Sequence, residues 1–323
     1  METWLLDAGA EAASPETTFD EVIGLWPDLS SAYADAMGTC WAIVDPVALE
    51  LCRLRVATLQ RCSSELAVRY EEAVVAGLTE AKIDRLGQWP SDDVFTDDER
   101  ACVEYAEQYA IDAHGVSERM VDELKTRLGD DTYRALQGAI ALFDGFGHFR
   151  NALALASVDG NLDELVMVRA PEVTQLDFGT AWITLWATLM RKGAVDPALM
   201  EMARLRNAKF TDCVHCRSIR FTRAIDAGLD EDRIALIDDF ETSDLSSKEK
   251  AVLRYTDAVL LDPRHLSPEL GVEMLGHFNA RELVELTAGI AMYLGGSKWN
   301  IINLGKVDGE LPVHAHAEPE FPQ

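Results

Sequence analysis

The chain repeats itself. Sliding the sequence by 151 residues lays Val44-Asp45-Pro46 on Val195-Asp196-Pro197, Glu50 on Glu201, and Arg53-Leu54-Arg55 on Arg204-Leu205-Arg206. Ala57, Cys62 and Arg69 fall on Ala208, Cys213 and Arg220, and Gly77-Leu78 on Gly228-Leu229, with Glu80 on Glu231 and Ile83 on Ile234. After a slip of one residue the match resumes: Ala101 on Ala251, Tyr105 on Tyr255, Ile140-Ala141 on Ile290-Ala291, and Gly145 on Gly295. Order is kept with a single gap. One structural unit therefore occurs twice, and any fold assigned to one half must also suit the other.

Each unit reads as helical. Asp45-Pro46 and Asp196-Pro197 are capping residues followed by proline in the first turn, a helix start. The segments after them, Val47 to Leu59 and Ala198 to Phe210, are rich in strong helix formers. Gly77 and Gly228 sit where those turns should end. Asp97 to Ile111 and Ser246 to Leu261 place apolar residues three and four apart. A long Ala-, Ile- and Leu-rich helix closes each copy, over about Thr132 to Ala156 and Arg281 to Leu304, apolar enough to form the core. No stretch alternates in the manner of a strand. The expected fold is all-α, two tandem helical domains packed as a pseudo-dimer: residues 1–160 and 176–310, a linker at 161–175 within the turn-rich stretch Val158 to Phe178, and a frayed tail at 311–323.

Length and composition narrow the function. A chain of 323 residues can bury a core in each half. The formal charge of −27 repels phosphate backbones and anionic lipid, which argues against nucleic-acid and membrane partners. No apolar run reaches the length of a membrane span. The N-terminal Met1-Glu2-Thr3-Trp4-Leu5-Leu6-Asp7 has no basic region ahead of its apolar residues, so a cytoplasmic location is expected.

Of the six cysteines, Cys40, Cys52, Cys62 and Cys102 are scattered through apolar helical patterns, where a buried thiol is the default. Cys213 and Cys216 form a Cys-x-x-Cys pair. With Thr211-Asp212 as the cap, both fall in the first turn of a new helix, on one face and close enough to bond. Free amides at a helix start lower a thiol's pKa, and Arg217 and Arg220 would add positive charge one turn beyond the cysteines. His215 can exchange a proton at neutral pH. Glu201, separated from Cys213 by eleven residues, offers a base. No second ligand pair lies nearby to complete a zinc site, so neither metal nor cofactor is expected. The first copy keeps Glu50, Cys62 and Arg69 but puts Glu65 where the second cysteine belongs. It cannot cycle an internal disulfide.

At these residues the chain resembles the alkylhydroperoxidase D / carboxymuconolactone decarboxylase superfamily, whose signature is Glu, eleven residues, Cys-x-x-Cys, then His four residues on. The resemblance covers both copies, roughly Val44 to Ala156 and Val195 to Leu304. It implies that Glu201 is a proton-relay acid, Cys216 the peroxidatic thiol, and Cys213 the resolving and more exposed partner. His215 matches a histidine that some peroxidase members carry between the cysteines. Arg220 departs from the pattern: it stands where the relay histidine belongs and cannot shuttle a proton. The family also implies a homo-oligomer, with three tandem chains completing a six-unit ring.

Three chemistries remain open on the sequence. The leading one is a thiol oxidoreductase that reduces peroxides through Cys213 and Cys216 and is reset by a dithiol reductant protein. The second is a lyase or isomerase that uses Arg220 and Glu201 on a small anionic substrate. The third is a non-catalytic assembly module. His148, Trp299 and its counterpart Phe149 are read as packing residues, and the tail pair His314 and His316 is given no role.

Overall fold

The computed structural model describes residues 18–155, 165–174, 176–305, 307 and 309–322. The N-terminal heptapeptide and the Asp159-Gly160-Asn161 part of the expected linker lie outside them. Among the described residues the molecule is all-α apart from two small two-stranded sheets. A helix precedes the capped helix of each copy, Pro27–Ile43 or Phe178–Arg191, and these two pack on each other. A capped helix follows, Pro46–Gln60 or Pro197–Phe210, in which Asp45 accepts from the Ala48 amide and Asp196 from the Ala198 amide. Such caps contribute about 1 kcal/mol each. Next come a short turn of helix, a three-residue strand, the amphipathic helices Asp97–Ile111 and Ser247–Leu261, and the long closing helices Asp130–Ala152 and Ala280–Asn303.

The repeat survives in detail. Both capped helices end on a left-handed residue, Arg61 (φ 52°) and Asp212 (φ 51°), which turns the chain sharply into the Cys62 and Cys213 positions. Gly77 and Gly228 also hold positive φ.

The copies join along their closing helices. A Cβ on Gly145 would lie 2.2 Å from the Ala291 carbonyl oxygen, and one on Gly295 would lie 2.4 Å from that of Ala141. Both contacts relate residues at the same repeat offset, so a pseudo-two-fold axis runs between the helices. Backbone touches backbone there, which only glycine allows. Tyr109 reinforces the contact by donating to the Gly295 carbonyl at 2.6 Å, and Lys298 of the second copy pairs with buried Asp144 of the first at 2.7 Å. The main hydrophobic core therefore runs through both copies, with Ala208, Cys213 and Cys216 in a small cluster apart from it. His148, read as a packing residue, sits in this seam with Nδ1 3.2 Å from the Gln60 amide nitrogen. Burial outweighs the opposing pull of Asp144 and lowers its pKa.

Two expectations about loops need correction. The chain does contain strands: β1 (Val68–Tyr70) pairs in parallel with β2 (Val166–Val168), and β3 (Ile219–Phe221) with β4 (His314–His316). Three residues are too few to show alternation in sequence. The segment expected to fray after residue 310 supplies β4 and is then held down. Buried Glu318 accepts from the Thr222 hydroxyl at 2.9 Å and the Arg223 amide at 2.8 Å, and Arg191 donates to the carbonyls of Glu318 and Pro319. Among the described residues no helix is long and apolar enough to cross a membrane.

Candidate active site

The left-handed turn at Asp212 delivers Cys213 as the capping residue of the short helix Val214–Ser218. Its sulfur accepts the Cys216 amide at 3.2 Å, and the two cysteines are joined in a disulfide with Cα atoms 5.2 Å apart. Cys213 is fully buried, whereas Cys216 keeps 5 % of its surface. The resemblance had made Cys213 the more exposed sulfur, and the structure reverses that order. As the cap, Cys213 points back under the helix end, while Cys216 emerges one turn later.

Cys216 opens into a pocket of about 380 Å³ walled by Trp182, Trp186, Trp299, Phe221 and Tyr293. Trp182 stacks on Trp299 with ring centres 5.3 Å apart, and Trp186 lies edge-on to Trp182 at 6.2 Å. Gly296 lets the Trp186 indole lie against the closing helix, since a Cβ there would be 2.6 Å from the ring. Trp299, expected in the core, packs half-buried against it and also forms a wall of the pocket. Asn300 donates to the Cys216 sulfur at 3.5 Å.

The other expected site residues do not converge on the sulfurs. Glu201 is bound two-pronged by Arg204, both contacts at 2.6 Å, and also accepts the Phe221 amide at 3.3 Å. It lines a separate cavity of about 30 Å³. Arg220 is turned away, paired with Glu231 at 2.7 Å and donating to the Arg217 carbonyl. The helical reading had carried it one turn beyond Cys216, but the helix stops at Ser218 and the chain becomes β3. Neighbouring strand residues face opposite sides, so Ile219 and Phe221 meet the aromatic pocket and Arg220 does not. Arg217 pairs with Asp212. His215 points outward, with Nε2 3.3 Å from the Gly305 carbonyl.

Arg204 is the residue the sequence reasoning passed over. Beyond Glu201, it donates to the carbonyls of Cys216 and Ile219 at 2.7 Å each, tying both ends of the thiol turn to the preceding helix. Burial opposes its charge, but the Glu201 carboxylate outweighs this and raises its pKa. The Arg-Leu-Arg match between the copies was the available signal, because Arg53 does the same work in the first copy. It grips Glu50 at 2.7 Å and donates to the carbonyls of Glu65 and Val68. Arg69 likewise repeats Arg220 by pairing with Glu80.

The first copy's site is narrower. Glu65 occupies the place of Cys216 and is gripped by both Arg53 and Arg150, the latter standing where the second copy has Asn300. Phe19, from the short helix Phe19–Ile23, lies 3.7 Å beneath the Arg150 guanidinium and packs against Phe146 and Phe149. What remains is a pocket of about 160 Å³. Burial raises the thiol pKa of Cys62, and pushes that of Cys102 up to about 12, so neither is a nucleophile at neutral pH. Cys40 and Cys52 are raised for the same reason. No cluster of three metal-ligating side chains occurs among the described residues.

Two curated relatives from Mycobacterium tuberculosis, the uncharacterized proteins Rv2313c (strain H37Rv) and MT2376 (strain CDC 1551), are each 32 % identical over 194 residues, spanning 59 % of this chain and 68 % of their own. The chain belongs to their family. The uncharacterized Escherichia coli protein YnjA is 25 % identical over 111 residues, covering 34 % of this chain and 61 % of that protein. No family model matches the chain, and no solved structure matches it.

Proposed function

We propose that the protein is a dithiol–disulfide oxidoreductase that reduces hydroperoxides at Cys216. The observation that carries this is the placement of Cys216: it is the sulfur that lines an aromatic pocket, bonded to a fully buried partner, in the copy with the larger pocket. In the reduced protein the Cys216 thiolate attacks the distal peroxide oxygen. The O–O bond breaks, the alcohol or water leaves with one proton, and Cys216 becomes a sulfenic acid. The Cys213 thiol then displaces water to form the disulfide, and a dithiol reductant protein restores both thiols.

Glu201 and Arg204 act as a scaffold in this scheme, since the same pair stands in the copy without the second thiol. The lyase alternative loses support because Arg220 is spent on Glu231, and Arg204 on Glu201. The four buried free thiols suit a reducing compartment, and we place the protein in the cytoplasm, as a homo-oligomer.

The test is direct. Reduced protein is mixed with cumene hydroperoxide, quenched with an alkylating agent, and read by mass spectrometry. The expected result is a Cys213–Cys216 disulfide in the wild type and none in Cys216→Ser; persistence of two free thiols in the wild type ends the proposal.

A further inference from the structure

Thiolate attack on a peroxide requires a proton for the departing oxygen, and none of the residues expected to relay one is in place. Glu201 is held by Arg204 and the Phe221 amide, Arg220 by Glu231, and His215 faces the Gly305 carbonyl. The aromatic pocket nevertheless contains an imidazole. His316 lines it together with Cys216. It arrives on β4, opposite Phe221 in register, with its ring 5.9 Å from the Phe221 ring.

From these observations we infer that His316 is the acid–base group of the thiol pocket, protonating the oxygen that leaves when Cys216 attacks a hydroperoxide. This rests on the peroxide-reducing function proposed above. Among the described residues lining the pocket, His316 is the one whose side-chain type exchanges a proton near neutrality. Tyr293 is pushed far above its ordinary range by burial, and Arg204 is permanently charged. The remaining walls are indoles, the Phe221 phenyl, the Met190 thioether, aliphatic groups, Ser297 and Asn300.

The placement is built. Downstream of His316, buried Glu318 is fastened to Thr222 and to the Arg223 amide, so β4 is fixed at the pocket mouth rather than passing by it. The first copy supplies a contrast. Its matching strand β2 runs beside β1 in the same way, with Val168 opposite Tyr70 where His316 stands opposite Phe221. Val168 lines the smaller pocket beside Glu65. The copy with the thiol has the imidazole, and the copy without it has a hydrocarbon.

The step balances. Cys216 thiolate, ROOH and protonated His316 give Cys216 sulfenic acid, ROH and neutral His316, and solvent returns the proton to the exposed ring. The charged or titratable groups around His316 are His314 and Glu318 on its own segment, Arg191 on the first helix of this copy, Arg204 behind the thiol turn, Tyr293 on the closing helix, and Cys216 itself.

The experiment is a single-turnover measurement on the reduced full chain with cumene hydroperoxide between pH 5 and 9, following tryptophan fluorescence and quenched disulfide. The wild-type rate should rise and then fall with pH. His316→Gln should lower the rate at neutral pH by roughly tenfold or more and remove the falling limb. His314→Gln should keep the wild-type profile. Added imidazole should restore part of the rate to His316→Gly, which separates lost chemistry from a displaced strand. A wild-type rate and profile in His316→Gln would overturn the assignment while leaving peroxide reduction intact. Absence of any peroxide-driven disulfide in the wild type would overturn both.

Discussion

Replacing Arg204 by alanine should unfold the thiol turn from beneath. The guanidinium and the Glu201 carboxylate are 6 % and 4 % exposed and bound to each other through two contacts of 2.6 Å. Removing one member of a buried pair leaves the other uncompensated, at a cost of about 3–5 kcal/mol. The carbonyls of Cys216 and Ile219 lose charged donors at the same time, which places Arg204→Ala toward the upper end of that range. At about 2 °C per kcal/mol for a protein of this size, Tm should fall by roughly 10 °C in thermal unfolding followed by circular dichroism. The double variant Glu201→Leu, Arg204→Met removes both charges and should recover most of the loss. Arg53→Ala should destabilise by at least as much, because Arg53 holds Glu65 as well as Glu50. A Tm drop under about 2 °C in Arg204→Ala would refute the reasoning. So would Glu201→Gln that keeps its Tm yet loses peroxide-driven disulfide formation, for the carboxylate would then be a relay rather than a strut.

Two further outcomes follow from packing. Iodoacetamide at pH 8 should label Cys216 of the reduced native protein and leave Cys40, Cys52, Cys62 and Cys102 unmodified until denaturant is added, because those four are buried with raised pKa values; mass-spectrometric mapping reads this, and early labelling of Cys62 would contradict it. Gly145→Val should destabilise by about 3 kcal/mol or more, since the new carbon would fall 2.2 Å from a carbonyl oxygen that cannot yield without separating the closing helices. The urea midpoint checks it, and a variant as stable as the wild type would show that the two helices are not locked there.

The repeat, the capped helices and the closing helices were legible because each rests on local chemistry: Asp-Pro starts, glycine stops, apolar spacing. The sheets were not, because three-residue strands carry no period and their partners lie about 100 residues away in the chain. That gap explains the errors at the site. Once the chain after Ser218 is a strand, Arg220 belongs to the opposite side from Cys216, which no extension of a helical pattern reveals. Cys213 and Cys216 were found by spacing. Trp182, Trp186, Asn300 and His316 were not, since they meet at Cys216 only through tertiary packing. Asn300 could have been found: it stands at the repeat offset from Arg150, and the exchange of a cation for an amide accompanies the exchange of Glu65 for Cys216.

The glycine contact between the closing helices divides the molecule's tolerance to change unevenly. Each copy leans its backbone on the other at Gly145 and Gly295, so each half is the template against which its sibling is shaped. The first half has Glu65 where the second has Cys216 and sets Phe19 and Arg150 in its cleft, yet deleting it would strip one wall from the helix that carries Trp299 and Asn300. Its pocket is free to drift in chemistry, while its spine is not free to drift in shape.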